Sequence, residues 1–177
     1  ANGGSYGSDL SADGRFVVFS SRADNLVSDD SNGVIDVFLL DRQTGTLSRV
    51  SVADDETEGN DGANAGFVSD DGRYVAYCSS ASNLVPGDDN DDRDIFVTDR
   101  QTGATTLISQ GYWGGFVSGA NGWDKVALSD NGRFVAFSGY GRLFIEEDNN
   151  GTGDVFVPGG DLSGGNDDAW GDLTVLG

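Results

Sequence analysis

The chain has 177 residues, with 30 acidic side chains against 10 basic ones, a net charge of −20 at pH 7 and no histidine. Such a charge disfavours nucleic acid and anionic membranes through repulsion, and the missing imidazole removes Ser-His-Asp, Cys-His and histidine-zinc chemistry. Cys78 stands alone, which rules out an intrachain disulfide, and no run of 18 apolar residues offers membrane insertion as a helix.

The first predicted strand lies near Tyr6 to Ser11 and runs into a Ser11-x-Asp13-Gly14 turn. Arg15 to Ser20 follows, short, β-branched and aromatic, and reads as a second strand. After Asn25-Leu26-Val27 comes an acidic loop containing Gly33, with Asp30, Asn32 and Asp36 at its positions 1, 3 and 7. Asp36 to Leu40 reads as a third strand, Asp41-Arg42-Gln43-Thr44-Gly45 as a turn, and Thr46 to Val52 as a fourth strand.

The series then begins again. Strands are predicted near Ala65 to Ser69, at Arg73 to Cys78, at Asp94 to Thr98 and at Ala104 to Ser109. They are separated by Ser69-x-Asp71-Gly72, by the loop with Asp88, Asn90 and Asp94, and by Asp99-Arg100-Gln101-Thr102-Gly103. Cys78 takes the register of Ser20, where a buried thiol acts as a small apolar group. A third pass predicts strands at Lys125 to Ser129, Arg133 to Ser138 and Asp154 to Val157, with Asp148, Asn150 and Asp154 in its loop. Asp30 to Asp88 is 58 residues and Asp88 to Asp148 is 60, so the chain is one repeat domain, 1–177, with units of about 2–59, 60–117 and 118–177.

The third unit departs from the pattern. Asn-Leu-Val becomes Leu143-Phe144-Ile145, and the Arg-Gln-Thr-Gly turn gives way to Pro158-Gly159-Gly160 and a polar, glycine-rich stretch. Leu173 to Leu176 remains as a final strand, placed in a terminal cap or in a contact with another subunit.

Four short antiparallel strands per repeat, many glycines and no amphipathic helix predict an all-β fold of three tandem four-stranded propeller-type blades. The run Ser-x-Asp-Gly-Arg-[Phe/Tyr]-Val, then Asn-Leu-Val, the Asp-x-Asn loop, Asp-[Val/Ile]-Phe and Asp-Arg-Gln-Thr-Gly resembles the TolB-like β-propeller repeats of secreted and periplasmic bacterial proteins, over about Asn2 to Val157. The resemblance implies propeller blades and an extracellular or periplasmic setting, and no particular activity.

Three blades do not easily close a ring. An open arc leaves an apolar face at each end, so the arc is expected to be completed by another chain, to belong to a longer propeller, or to join end to end into a filament. Self-association is expected, by end-to-end contact or by strand exchange through Leu173 and Val175.

Oxygen donors at positions 1, 3 and 7 of a loop suit a hard divalent cation. Calcium is therefore expected at up to three structural sites: Asp30, Asn32 and Asp36; Asp88, Asn90 and Asp94; Asp148, Asn150 and Asp154. Twelve acidic residues crowd these loops, among them Asp29, Asp89, Asp91, Asp92, Glu146 and Glu147, and a bound cation would relieve their repulsion. With two formal charges among each set of three ligands, affinities of about 10⁻⁴–10⁻³ M are expected.

No catalytic residues are assigned. A carboxylate pair in a glycosidase-like cleft of a larger propeller is an alternative, but nearly all the acids belong to repeated loops. The residues that break the repeat are aromatic. Tyr112, Trp113, Trp123 and Trp170 are candidates for cap packing, a protein contact or stacking on glycan. The sequence thus reads as a secreted, calcium-stabilised structural or assembly module, with a carbohydrate- or protein-binding module as the alternative.

Overall fold

The computed structural model of the protein describes residues 1–89, 92–109, 126–140, 153–157 and 174–176. These residues contain no helix, and none long and apolar enough to cross a membrane. The strands form three antiparallel four-stranded sheets, each strand hydrogen-bonded to its neighbour in sequence. Blade 1 comprises β1 (Ser5–Leu10), β2 (Phe16–Ser21), β3 (Asp36–Asp41) and β4 (Thr46–Arg49). Blade 2 comprises β5 (Ala63–Val68), β6 (Tyr74–Ser79), β7 (Asp94–Asp99) and β8 (Ala104–Leu107). Blade 3 comprises β9 (Val126–Leu128), β10 (Val135–Tyr140), β11 (Gly153–Val157) and β12 (Thr174–Leu176).

The predicted fourth strand of each of the first two units is shorter in the structure, because a side chain takes over from the ladder. Val50 N–H still donates to Val37 O at 2.8 Å, but Val37 N–H then donates to the Ser51 hydroxyl at 3.1 Å. Ser109 serves Ile95 N–H in the same way at 3.0 Å. The final strand lies where it was expected, but β12 pairs with β11 of its own blade, Val175 opposite Phe156. It completes blade 3.

Period-2 alternation sorts most core residues into two interblade layers, with Phe38 buried instead against Phe19 on the other face of blade 1. Phe16, Val18, Val37 and Leu39 of blade 1 pack against Val75, Tyr77, Leu84 and Phe96 of blade 2. Tyr74, Ala76, Cys78, Ile95 and Val97, on the opposite face of blade 2, pack against Val126, Val135 and Phe137 of blade 3. Both faces of β6 are buried, which is why it reads as an unbroken apolar run. Burial pushes the Tyr77 phenol up to about 12.

The thrice-repeated Ser-x-Asp/Asn-Gly-Arg string is a turn held by its own side chains. Asp13 accepts from the Ser11 hydroxyl at 2.7 Å and from Arg15 N–H at 2.9 Å, while Phe16 N–H donates to Ser11 Oγ at 2.9 Å. The same three bonds recur at Ser69, Asp71, Arg73 and Tyr74, and at Ser129, Asn131, Arg133 and Phe134. Gly14, Gly72 and Gly132 have φ of 67°, 71° and 68°, the left-handed region that this turn requires. The Asp-Arg-Gln-Thr-Gly string fastens the opposite side. Asp41 accepts two bonds from the Arg15 guanidinium, at 3.0 and 2.7 Å, and Asp99 does the same for Arg73. Arg42 donates to Gly14 O at 2.8 Å, and Arg100 donates to Gly72 O.

Candidate functional site

The first acidic loop connects β2 to β3 and gathers its charges around one guanidinium. Asp36, the first residue of β3, is fully buried; its Oδ1 accepts from the Ser51 hydroxyl at 2.7 Å and its Oδ2 from Asn32 Nδ2 at 3.1 Å. Arg49, opposite Phe38 at the end of β4, turns its side chain into this loop, where only 4% of it remains exposed. Its Nη1 lies 2.8 Å from Glu58 Oε2, 3.7 Å from Asp30 Oδ1 and 3.9 Å from Asp36 Oδ2. Its Nη2 donates to Asp29 O at 3.1 Å and lies 3.6 Å from the Asp29 carboxylate. Ser31 closes the arrangement, donating to Glu58 through both its backbone N–H and its hydroxyl.

The electrostatics follow from burial. Withdrawal from water, then the neighbouring Asp36 carboxylate, push the Asp30 carboxyl above its ordinary value, and Arg49 opposes both. Burial likewise pushes Asp36 up, against the bonds from Ser51 and Asn32 and the charge of Arg49. Glu58, more exposed, is held down chiefly by the Ser31 hydroxyl.

Asp30 and Asp36 thus both face the Arg49 guanidinium. Asn32 is placed differently from the expected oxygen donor. Its Nδ2 points at Asp36 and at Gly59 O, 3.0 Å away, and its Oδ1 accepts from Val34 N–H at 3.0 Å. Arg49 was not singled out from the sequence. The available signal was the repeat register, in which Arg49 is replaced by Leu107, opposite Phe96.

In the second loop Asp88 and Asp94 are both buried, and Asp94 Oδ1 accepts from the Ser109 hydroxyl at 2.6 Å, the counterpart of Ser51 and Asp36. Leu107 packs on the interblade core where Arg49 stands in blade 1. Asn90, Asp148 and Asn150 lie outside the described residues, as do Tyr112, Trp113, Trp123, Trp170 and Leu173. Asp154 is the second residue of β11, opposite Gly139. Among the described residues, no three Asp, Glu, His or Cys side chains are disposed to hold a metal ion on their own.

A groove of about 460 Å³ runs along the outer edge between blades 1 and 2, lined by Arg49, Asp54, Thr98, Arg100 and Thr102 among others. Both guanidiniums are engaged. Arg49 serves the acidic loop, and Arg100 donates to Gly72 O while stacking 5.1 Å from the centre of the Phe16 ring.

No protein-family profile and no curated protein matches the chain. Solved structures do. The β-propeller domain of the Trilobed protease from Pyrococcus furiosus superposes with a TM-score of 0.58 at 10% identity, over 99% of this chain and 43% of that one. TolB from Acinetobacter baumannii gives 0.53 at 16% identity, over 93% of this chain and 31% of that one. The chain has a TolB-like β-propeller fold. Putative TolB from Agrobacterium tumefaciens adds a TM-score of 0.50 at 17% identity, over 97% of this chain and 48% of that one. This three-bladed arc therefore spans between about a third and a half of the chains it matches.

Proposed function

We propose that this propeller arc is a secreted, calcium-stabilised structural module that assembles with copies of itself, and that it carries no catalytic centre. The observation that supports assembly is the pair of end faces. Phe19 and Leu40 of blade 1 are only half-buried and Leu10, on the same face opposite Val17, is exposed, while Phe134 of blade 3 is 43% exposed. In the interior of the arc the equivalent positions, such as Tyr77 for Phe19 and Tyr74 for Phe134, are sealed by the next blade. Apolar surface of this kind at both ends of a repeat stack drives association.

Calcium is supported by the second loop, which buries the carboxylates of Asp88 and Asp94, oxygen donors of the kind a hard cation takes. Asp88, Asn90 and Asp94 would hold the ion there, and Asp148, Asn150 and Asp154 in the third loop. An ion at Asp30, Asn32 and Asp36 must share the loop with Arg49. Bound calcium would supply a positive charge bridging the loop to the strand that follows it, a structural role.

Sedimentation velocity over a wide concentration range, in millimolar Ca²⁺ and in chelator, tests this reading. Species heavier than the 18.5 kDa chain are expected, weakened by chelator. A single monomeric boundary throughout would overturn it. That result would favour a second reading, supported by the partial coverage of larger propellers, in which further blades of one polypeptide cover the same faces.

A further inference from the structure

Each blade junction inside the arc contains the same aromatic-on-glycine seat. At the first, the Gly72 turn of blade 2 lies flat on the Phe16 ring of blade 1, so close that a Cβ on Gly72 would sit 2.0 Å from Phe16 Cδ2. At the second, the Gly132 turn of blade 3 lies on the Tyr74 ring of blade 2, and a Cβ there would fall 2.2 Å from Tyr74 Cδ2. The covered rings are 8% and 4% exposed. Arg100 of blade 2, which holds the Gly72 turn, also stacks on Phe16 from across the junction. Turn, ring and guanidinium therefore form one interblade fastener.

The two ends of the arc carry the two halves of a third such fastener. Phe134 occupies the register of Phe16 and Tyr74, has Arg133 stacked beside it at 5.4 Å as Arg15 and Arg73 are beside theirs, and is 43% exposed. Among the described residues no glycine turn covers it. At the other end Gly14 has the same turn and the same φ, yet a Cβ built on it meets nothing nearer than Arg42 Nη1 at 3.6 Å. Arg42 holds that turn through Gly14 O, as Arg100 holds Gly72.

We propose that blade 3 of one copy docks on blade 1 of a second copy, with the Gly14 turn seated on the Phe134 ring and Arg42 stacked over it. The occupant is a second copy because each end lacks what the other presents, and the contact continues the two junctions already built into the chain. The contact is head to tail. It generates a ring if the rotation closes and an open filament if it does not. The inference rests on the self-assembly reading above and specifies its interface.

Two variants test it without disturbing the fold. Gly14→Asn keeps the turn, since Asn tolerates positive φ, but its side chain would collide with a docked ring as a Cβ on Gly72 would with Phe16. Phe134→Ala removes the seat at the far end. Sedimentation in Ca²⁺, with urea midpoints to check folding, should show association weakened at least about tenfold in each variant, the loss expected when a central interface anchor is removed. An equimolar mixture pairs the intact Phe134 of one variant with the intact Gly14 of the other and should yield two-chain species that neither forms alone. If the wild-type chain associates but both variants associate equally well, this interface is wrong and the assembly reading stands. If the wild-type chain is monomeric throughout, both fall. Should Gly14→Asn fail to fold, Phe134→Ala decides alone, because an exposed ring can be removed without opening the core.

Discussion

Replacing Gly72 with Ala isolates the glycine-on-ring contact from the conformational demand of the turn. Two terms act at this position. A Cβ at φ 71° carries the left-handed penalty, about 1–2 kcal/mol for an L-residue. It would also fall 2.0, 2.2 and 2.5 Å from three atoms of the Phe16 ring, and that ring is locked between two blades. Overpacking of this kind costs about 1–3 kcal/mol, so Gly72→Ala is expected to destabilise the arc by about 2–5 kcal/mol in total. Gly14→Ala supplies the control, with φ 67° and no ring within 4 Å, and should cost only the first term. Urea titrations followed by far-ultraviolet circular dichroism, at concentrations low enough to suppress association, should separate the two midpoints by about 0.5–1.5 M for an m-value near 2 kcal/mol/M. Gly132→Ala, beside Tyr74, should resemble Gly72→Ala. Equal losses at Gly14 and Gly72 would refute the seat, since the backbone term is common to both.

Two further substitutions probe the charges. In chelator, Arg49→Leu leaves Asp30, Asp36 and Glu58 without the guanidinium that faces them and should cost about 2–4 kcal/mol, below the full value for breaking a buried pair because Glu58 and Asp29 reach solvent. Under the calcium reading, millimolar Ca²⁺ should restore more stability to this variant than to the parent chain, and a variant as stable as the parent in chelator would show that Arg49 does not neutralise the loop. The Arg15–Asp41 and Arg73–Asp99 pairs contribute to the acid limb of stability. Arginine hydrogen bonding holds both carboxyls below their ordinary value, so their contribution is complete above the unfolded pKa, near 4, and is lost as pH falls through the depressed folded values. The double variant R15M/R73M should therefore lose stability less steeply below about pH 4, and an unchanged slope in urea midpoint against pH would refute the assignment.

The blades were legible because their signals are local. The short β-branched and aromatic runs at Phe16 to Ser21 and Tyr74 to Ser79, and the Asp-Gly turns before them, specify strand and turn within ten residues, and a step of 58 to 60 residues fixes their number. What the sequence concealed depends on contacts between strands and between blades. Arg49 reads as one more exposed position on a short edge strand until β4 is registered against β3 and the loop before Asp36 folds over it. Asn32 carries both an oxygen acceptor and an NH2 donor, and only the folded loop, with Gly59 O and Asp36 beside Nδ2 and Val34 N–H beside Oδ1, shows which partner each end meets. Gly14, Gly72 and Gly132 read as equivalent turn glycines, and locally they are. They differ only in what the neighbouring blade places against them, a Phe ring, a Tyr ring or nothing, so the same residue that shapes a turn in all three repeats also packs a junction in two. A repeated motif under two demands at once looks from the sequence like a motif under one. Among the described residues the second demand goes unmet at Gly14 at one end and at Phe134 at the other, and it is there that the proposed contact with another copy would form.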